Sequence, residues 1–380
     1  MNRRRRIRWI LLIAVVAVVA AACSSDSDDT TTTAADGATT TAAAADEGSI
    51  WVLLPDSASS ARWETDDRPS FDAALTAAGV EFNIVNAEGD AQQQVAQAEQ
   101  AIAAGAKVIL LTNLDSASGA TIIQIARDAG VKVVDYDRLT VEGDGADVYV
   151  SFNNVAVGEE MCVAMEPAID ALGLDAVKVV LLNGGPTDNN SGLFKEGYTS
   201  CVDRRVAAGD WEVVADEDTP DWDNQEALRI MEQVITSTGG DFQAVFAAND
   251  GLANSTIAAL LAAGDDTVPL SGQDATVAGM QNVLAGFQTM SVYKAIKAEA
   301  EAASAVAVAL LRGASVDSIT LSSDFIITAI DNGTNEVPYV ALTPVAVTVD
   351  NIAETVIADG FRTWDEICVG DFEEFCPADR

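Results

Sequence analysis

The sequence predicts an α/β protein built as two doubly wound parallel-sheet lobes, and three observations carry that reading. Strand candidates such as SIWVLLP (49–55) and KVILLT (107–112) are continuously apolar rather than alternating, which marks parallel strands covered on both faces. Amphipathic helical stretches separate them. The strands also come in two series of about five, which fits two open sheets better than one eight-stranded barrel.

Taken in order, the chain opens with MNRRRRIRWILLIAVVAVVAAAC (1–23), a basic start followed by 14 apolar residues from Trp9 to Ala22. That run is too short to span the ~30 Å hydrocarbon core as a helix and suits a secretory signal peptide over 1–22. The small residues before Cys23 resemble a bacterial lipobox, with Ala20 where that pattern has Leu. The resemblance implies a lipidated Cys23; the alternative is an ordinary cleaved signal. Residues 24–48 are Ser, Thr, Ala, Asp, Gly and Glu with no large apolar side chain. Such a stretch cannot offset its ordering entropy, so 23–48 reads as lipidated cysteine and disordered tether.

The first strand series continues with EFNIVN (81–86), KVVDYD (132–137) and DVYVSF (147–152), separated by helices over 91–105 and 121–130 that end in Gly. The second comprises KVVLLNG (178–184), WEVVADE (211–217), AVFAAND (244–250), PLSGQD (269–274) and TMSVYK (289–294). Helices over 251–264 and 295–313 belong to it. Cys162, Cys201, Cys368 and Cys376 allow three pairings, and in an exported chain they read as two disulfides. The short 368–376 loop favours 162–201 plus 368–376, and with no CxxC a zinc knuckle is not expected.

Charge and composition narrow the function. There are 59 Asp+Glu, 21 Lys+Arg and no His, for a formal charge of −38. Five of the bases lie in the first eight residues, so from Cys23 onward 16 bases face 59 acids and the charge is −43. Nucleic acid and anionic lipid are therefore excluded as partners of the folded body, although an anchor could hold it to a membrane. Without His, Ser-His-Asp catalysis and His-containing zinc sites are excluded as well. Neither GxxxxGK[ST] nor GxGxxG occurs. No cofactor or metal is expected, and what remains is chemistry by carboxylates or no chemistry at all.

Ligands of doubly wound sheets bind beyond the carboxyl ends of the strands, and unusual polar residues sit there. The first exit carries Arg62 and Trp63, and the fourth carries Asp137 and Arg138. In the second series come Asp188, Asn190 and Phe194, then Trp222, then Asn249 and Asp250, then Gln273 and Asp274, and finally Lys294. Forked hydrogen-bonding groups beside aromatic rings suit a neutral sugar, whose hydroxyls both donate and accept and whose C–H faces pack on rings. Each residue has a plainer reading. Asn189, Asn190 and Asn249 could be helix caps, Trp63 or Trp222 core, Arg62 or Arg138 surface ion pairs, and the acidic run 216–223 a solvated loop or a calcium site.

In order, ARW, VDYDR, SFNNVAVGE, NGGPTDNNSGLFKEG, FAANDGLA, SGQDA, QTMSVYK and LTPVAVTVDNI resemble the periplasmic sugar-binding proteins of ABC importers, most closely the D-xylose-binding proteins. The resemblance covers roughly 49–360. It implies a three-crossing hinge near 150–153, 290–294 and 339–344, with a ligand cleft between the lobes. The N-terminal lobe is then 49–150 plus 293–338, and the C-terminal lobe 151–292 plus 339–380. It implies sugar contacts from Arg62, Trp63, Arg138, Asn190, Trp222, Asn249, Asp274 and Lys294, with Asp137, Asp188, Phe194 and Asp250 as further candidates. The expected protein is a monomeric, exported, lipid-anchored receptor on the outer face of a membrane that binds a monosaccharide, a pentose such as D-xylose, delivers it to ABC permease subunits and catalyses nothing. A receptor signalling to a sensor kinase or chemoreceptor would use the same cleft, and a carboxylate glycosidase is the enzymatic alternative. The cysteine-bearing tail 363–380 departs from the family pattern and is expected to lie away from the cleft.

Overall fold

In the first series, strands form where aliphatic residues run together and can be buried on both faces. The computed structural model describes residues 48–380 except 142, 265–267, 322–326 and 379; the signal peptide, Cys23 and the tether through 47 lie outside the described residues. Strands β1 (Ser49–Leu54), β2 (Glu81–Asn86), β3 (Ala106–Leu111), β4 (Lys132–Tyr136) and β5 (Val148–Phe152) are parallel and lie in the order β2-β1-β3-β4-β5. Every residue of β1 is buried. Ile50, Val52 and Leu54 pack with Phe71 and Leu75 of α1 (Arg68–Ala78), while Trp51 and Leu53 pack with Ala98 of α2 (Ala91–Ala103) and Ile122 of α3 (Ser116–Asp128). Burying each such side chain contributes about 1.5–3 kcal/mol, so a one-residue slip of β1 would exchange both faces at once.

The second series repeats the pattern. Strands β6 (Val177–Asn183), β7 (Trp211–Asp218) and β8 (Ala244–Ala247) run parallel in the order β7-β6-β8. PLSGQD forms isolated bridges instead of a regular strand, Leu270 to Val245 of β8 and Gln273 to Val292 of β9 (Ser291–Tyr293). These bridges relay the layer to β9. Helices α4 (Asn154–Asp170), α5 (Asn189–Ala208), α6 (Asn224–Thr238), α7 (Asp250–Ala263) and α8 (Val277–Ala285) cover this lobe. The long helix expected over 295–313 is α9 (Ile296–Leu311), and its contacts are with α1, β3, β4 and β5 of the first lobe.

Three passages join the lobes. The chain crosses from β5 to α4, from β9 through Lys294 to α9, and from β11 (Glu336–Leu342) to β12 (Val345–Val347), which pairs antiparallel with β9. Asn153 N donates to Leu342 O across 2.9 Å and ties the first passage to the third. β11 joins the large sheet beside β5 as far as Leu342, with β10 (Ile327–Asp331) antiparallel at its edge. The structure pairs Cys162 with Cys201 between α4 and α5, and Cys368 with Cys376 beyond α10 (Trp364–Ile367). No helix among the described residues is long and apolar enough to cross a membrane.

Candidate ligand-binding site

The exit of β1 builds the first wall. A wide helical turn, Trp63–Asp67, follows the loop from β1 and turns Arg62 inward until it is 2% exposed. A charge so buried must be paired, and three carboxylates do it. Arg62 Nε and Nη2 donate to Asp67 (2.9 and 2.8 Å), Nη1 to Asp137 (2.8 Å) and Nη2 to Glu299 of α9 (3.1 Å). Burial alone would lower the Arg62 pKa, but Asp67 and Asp137 outweigh it and hold it above its ordinary value. Burial pushes the Asp67 and Glu299 carboxyls up. Tyr136 OH donates to Asp67 (2.6 Å). The Trp63 ring lies under Arg62 at 4.4 Å, with Arg138 5.5 Å from its centre.

Asp137, at the exit of β4, links both lobes and a crossing. Its φ of +62° lies in the left-handed region, uncommon for a residue with a Cβ. Tyr149 OH, Ser151 Oγ and Asn190 Nδ2 all donate to its carbonyl at 2.8–2.9 Å. Its carboxylate takes Arg62 and, at 3.3 Å, Lys294 Nζ. Burial pushes this carboxyl up, but Lys294, Arg62 and Arg138 together hold it below the usual carboxylate range. Arg138 Nη1 donates to Asn113 O (3.2 Å), and its Nε pairs with Asp188 of the second lobe at 3.1 Å.

The second wall hangs on helix N-termini and tight turns. Asp188 caps α5, accepting from Asn190 N (2.9 Å), while its other oxygen accepts from Trp222 Nε1 (3.2 Å). Burial pushes the Asp188 carboxyl up. Asn249 caps α7, accepting from Leu252 N (2.9 Å), and also lines the cavity, so the cap does not take it out of the wall. Trp222 and its neighbour Asp221 both have positive φ (57° and 54°). The indole lies on the backbone at Gly184, where a Cβ would come 2.1 Å from the ring, so no larger residue fits there. Asp274 and Ala275 also have positive φ (92° and 45°).

The two walls face each other across one cavity between the strand ends. Arg62, Trp63, Asp137, Arg138, Asp188, Asn190, Phe194, Trp222, Asn249, Asp274 and Lys294 all line it. Three of these are cations and three are carboxylates. Lys294 lies 3.5 Å from Asp274 and about equally far from the Phe152 (5.9 Å) and Phe194 (5.7 Å) rings. Asp250 is the exception among the residues singled out. It sits behind the wall, its oxygens accepting from Gln288, Ser291 and Thr276 at 2.8–2.9 Å, and burial pushes its carboxyl up to about 6. It shapes the Asp274 turn instead of facing a ligand. Ser59, Ser60 and Gln273 also line the cavity, although none is among the sugar contacts that the resemblance implies. Gln273 shared the strand-exit signal, and its buried Oε1 has no partner. The two serines gave no signal beyond their loop.

The tail differs from expectation. Glu366 lines an opening beside Asp274, next to Arg362 just before the tail, so the tail's first turn reaches the cleft mouth. In the acidic run, Asp216 and Asp218 accept from Asn183, and Asp216 also pairs with Lys195. Among the described residues no group of three or more His, Cys, Asp or Glu could hold a metal ion.

Two open parallel sheets, three crossings and a cavity between strand ends define a binding protein of the periplasmic type. The periplasmic binding protein domain family matches residues 50–315, and the chain belongs to it. The D-xylose-binding periplasmic protein of Haemophilus influenzae is 35% identical over 83% of this chain and 91% of that protein. Its Escherichia coli counterpart is 34% identical over 80% and 88%. Among solved structures, an ABC transporter solute-binding protein from Clostridium phytofermentans with bound β-D-glucose superposes with a TM-score of 0.76. It shares 26% identity and covers 84% of this chain and 99% of that one. These relatives are substrate-binding proteins, not enzymes.

Proposed function

We propose that this protein captures a neutral monosaccharide, D-xylose foremost, by closing its lobes, and presents it to an ABC permease. The carrying observation is the cavity wall, where three cations face three carboxylates, with Trp63 from one lobe and Trp222 from the other. A balanced wall offers a polyol forked donors and acceptors without drawing an anion. The rings suit its C–H faces. Gln273 Oε1, buried and unpartnered, would accept from a hydroxyl. The identity to D-xylose-binding relatives supports a pentose, and the glucose-bound neighbour supports monosaccharide size. Closure follows when the ligand binds the closed state better than the open one. The basic, then apolar, leader ending at Cys23 supports export and a lipid anchor, with the acid-rich body a monomer held in solvent off the membrane.

Isothermal calorimetry of the purified protein against a panel of aldoses tests this. D-xylose is expected to bind most tightly, well below millimolar. If no aldose binds tighter than about 1 mM, the capture reading fails. Mass spectrometry of the native N-terminus checks Cys23, where a diacylglyceryl adduct is expected and an unmodified cysteine contradicts the anchor.

A further inference from the structure

We propose that Arg362, just before the C-terminal tail, is a latch that holds the closed lobes together by gripping Asp66, and thereby sets how slowly the ligand leaves. The inference rests on the lobe-closure reading above. Arg362 belongs to the second lobe through a chain of fixed contacts. Its backbone N donates to Val356 O (3.0 Å) and its Nε to Ala275 O (3.0 Å), the residue after Asp274 in the cavity wall. Its guanidinium lies 3.8 Å over the Phe361 ring, which packs on Tyr293 at 5.0 Å. The tail beyond is pinned in turn. Gln281 Nε2 of α8 donates to Ile367 O (2.9 Å), and Ile367 and Cys368 are buried with Met280, Val283 and Tyr293. A capping box between Thr363 and Glu366 fixes the chain direction just after Arg362.

From that anchorage the fork reaches across the cleft. Nη1 and Nη2 take the two oxygens of Asp66 at 2.6 and 3.1 Å, a bidentate pair with side chains 7% and 10% exposed. Asp66 stands in the first-lobe turn between Trp63 of the cavity wall and Asp67, which grips Arg62. The pair therefore joins the segment that carries Trp63 to the segment that carries Asp274. Both partners border the opening beside the cavity, so opening the cleft there must break the pair. Shielded bidentate pairs are the strong kind of charge-assisted bond, and a contact made only in the closed state acts on release more than on capture.

Stopped-flow release of D-xylose from the wild type, Arg362→Ala and Asp66→Asn tests the latch. Each variant is expected to release sugar at least tenfold faster, with association within about twofold of wild type and the ranking of sugars unchanged. The double variant should match the single ones, because one pair is lost in all three. Melting of the ligand-free protein should be unmoved, whereas a structural role would lower it. Release rates equal to wild type in both variants, or a lowered ligand-free melting temperature accounting for the loss, would overturn the latch. If the wild type binds no sugar, the capture reading fails separately, and small-angle scattering decides the latch. A larger radius of gyration for Arg362→Ala than for wild type supports it, and equal radii contradict it.

Discussion

The two walls of the cavity are held in place by different physics. The first-lobe wall is fixed by charge, with Arg62 locked among Asp67, Asp137 and Glu299 in a region sealed from solvent. The second-lobe wall is fixed by backbone. Asp188 and Asn249 sit at helix caps, and Trp222 and Asp274 occupy left-handed turns. A charge network fails as a unit when one member goes, because the others are left buried and uncompensated. A wall built from caps and turns loses one contact at a time. The first wall should therefore couple binding to folding, and the second should not.

The largest test of that contrast is Arg62→Ala. Removing the cation strands the carboxylates around it, so denaturant unfolding should show a loss of about 3–5 kcal/mol and calorimetry no measurable sugar binding. A variant of wild-type stability would break the comparison. Next is Asp135→Asn, on the strand behind the first wall. Asp135 is 0% exposed, and burial pushes its carboxyl up to about 7 against two bonds from Thr140. Its folded pKa lies above the unfolded value of about 3.9, so the native state binds the proton more tightly. Stability should fall as pH rises from about 4 to about 7 and level off above. The asparagine variant should flatten that decline, which is worth up to about 4 kcal/mol at ~1.36 kcal/mol per unit. An unchanged slope would mean that Asp135 is already ionised at pH 4.

Smaller and purely in binding, Trp63→Ala and Arg138→Ala should each weaken the sugar by at least tenfold, about 1.4 kcal/mol. Unchanged affinity in both would remove them from the site. Asn249→Ala should be gentlest on the fold, costing about 1 kcal/mol for the lost cap while lowering affinity. A loss as large as that of Arg62→Ala would show the second wall to be coupled as well.

Much of this arrangement was legible because both lobes obey one rule. Continuous apolar runs gave strands that closely match β1 to β8, and the residues after them face one cavity. The rule failed at Asp250 because a strand exit can also hold a carboxylate that braces the next turn, and sequence does not say which way it points. PLSGQD dissolved into bridges because Gly272 and the bend at Asp274 interrupt the ladder. The β10–β11 hairpin went unread. β10 is half-exposed at a sheet edge, and Pro338 interrupts the β11 pattern. Arg62 stood out as a scarce cation in an acidic chain, but the partners that lock it, Asp67 and Glu299, lie 5 and 237 residues away. The tail looked remote because the residue that leads into it, Arg362, meets Asp66 across 296 residues.

A crystal structure grown with D-xylose tests the central claim most directly. The account predicts one sugar in the cavity, with Trp63 and Trp222 against its ring and Arg138, Asn249 and Asp274 within hydrogen-bonding distance of its hydroxyls. An empty cavity at saturating sugar, or a sugar bound elsewhere on the protein, would contradict it.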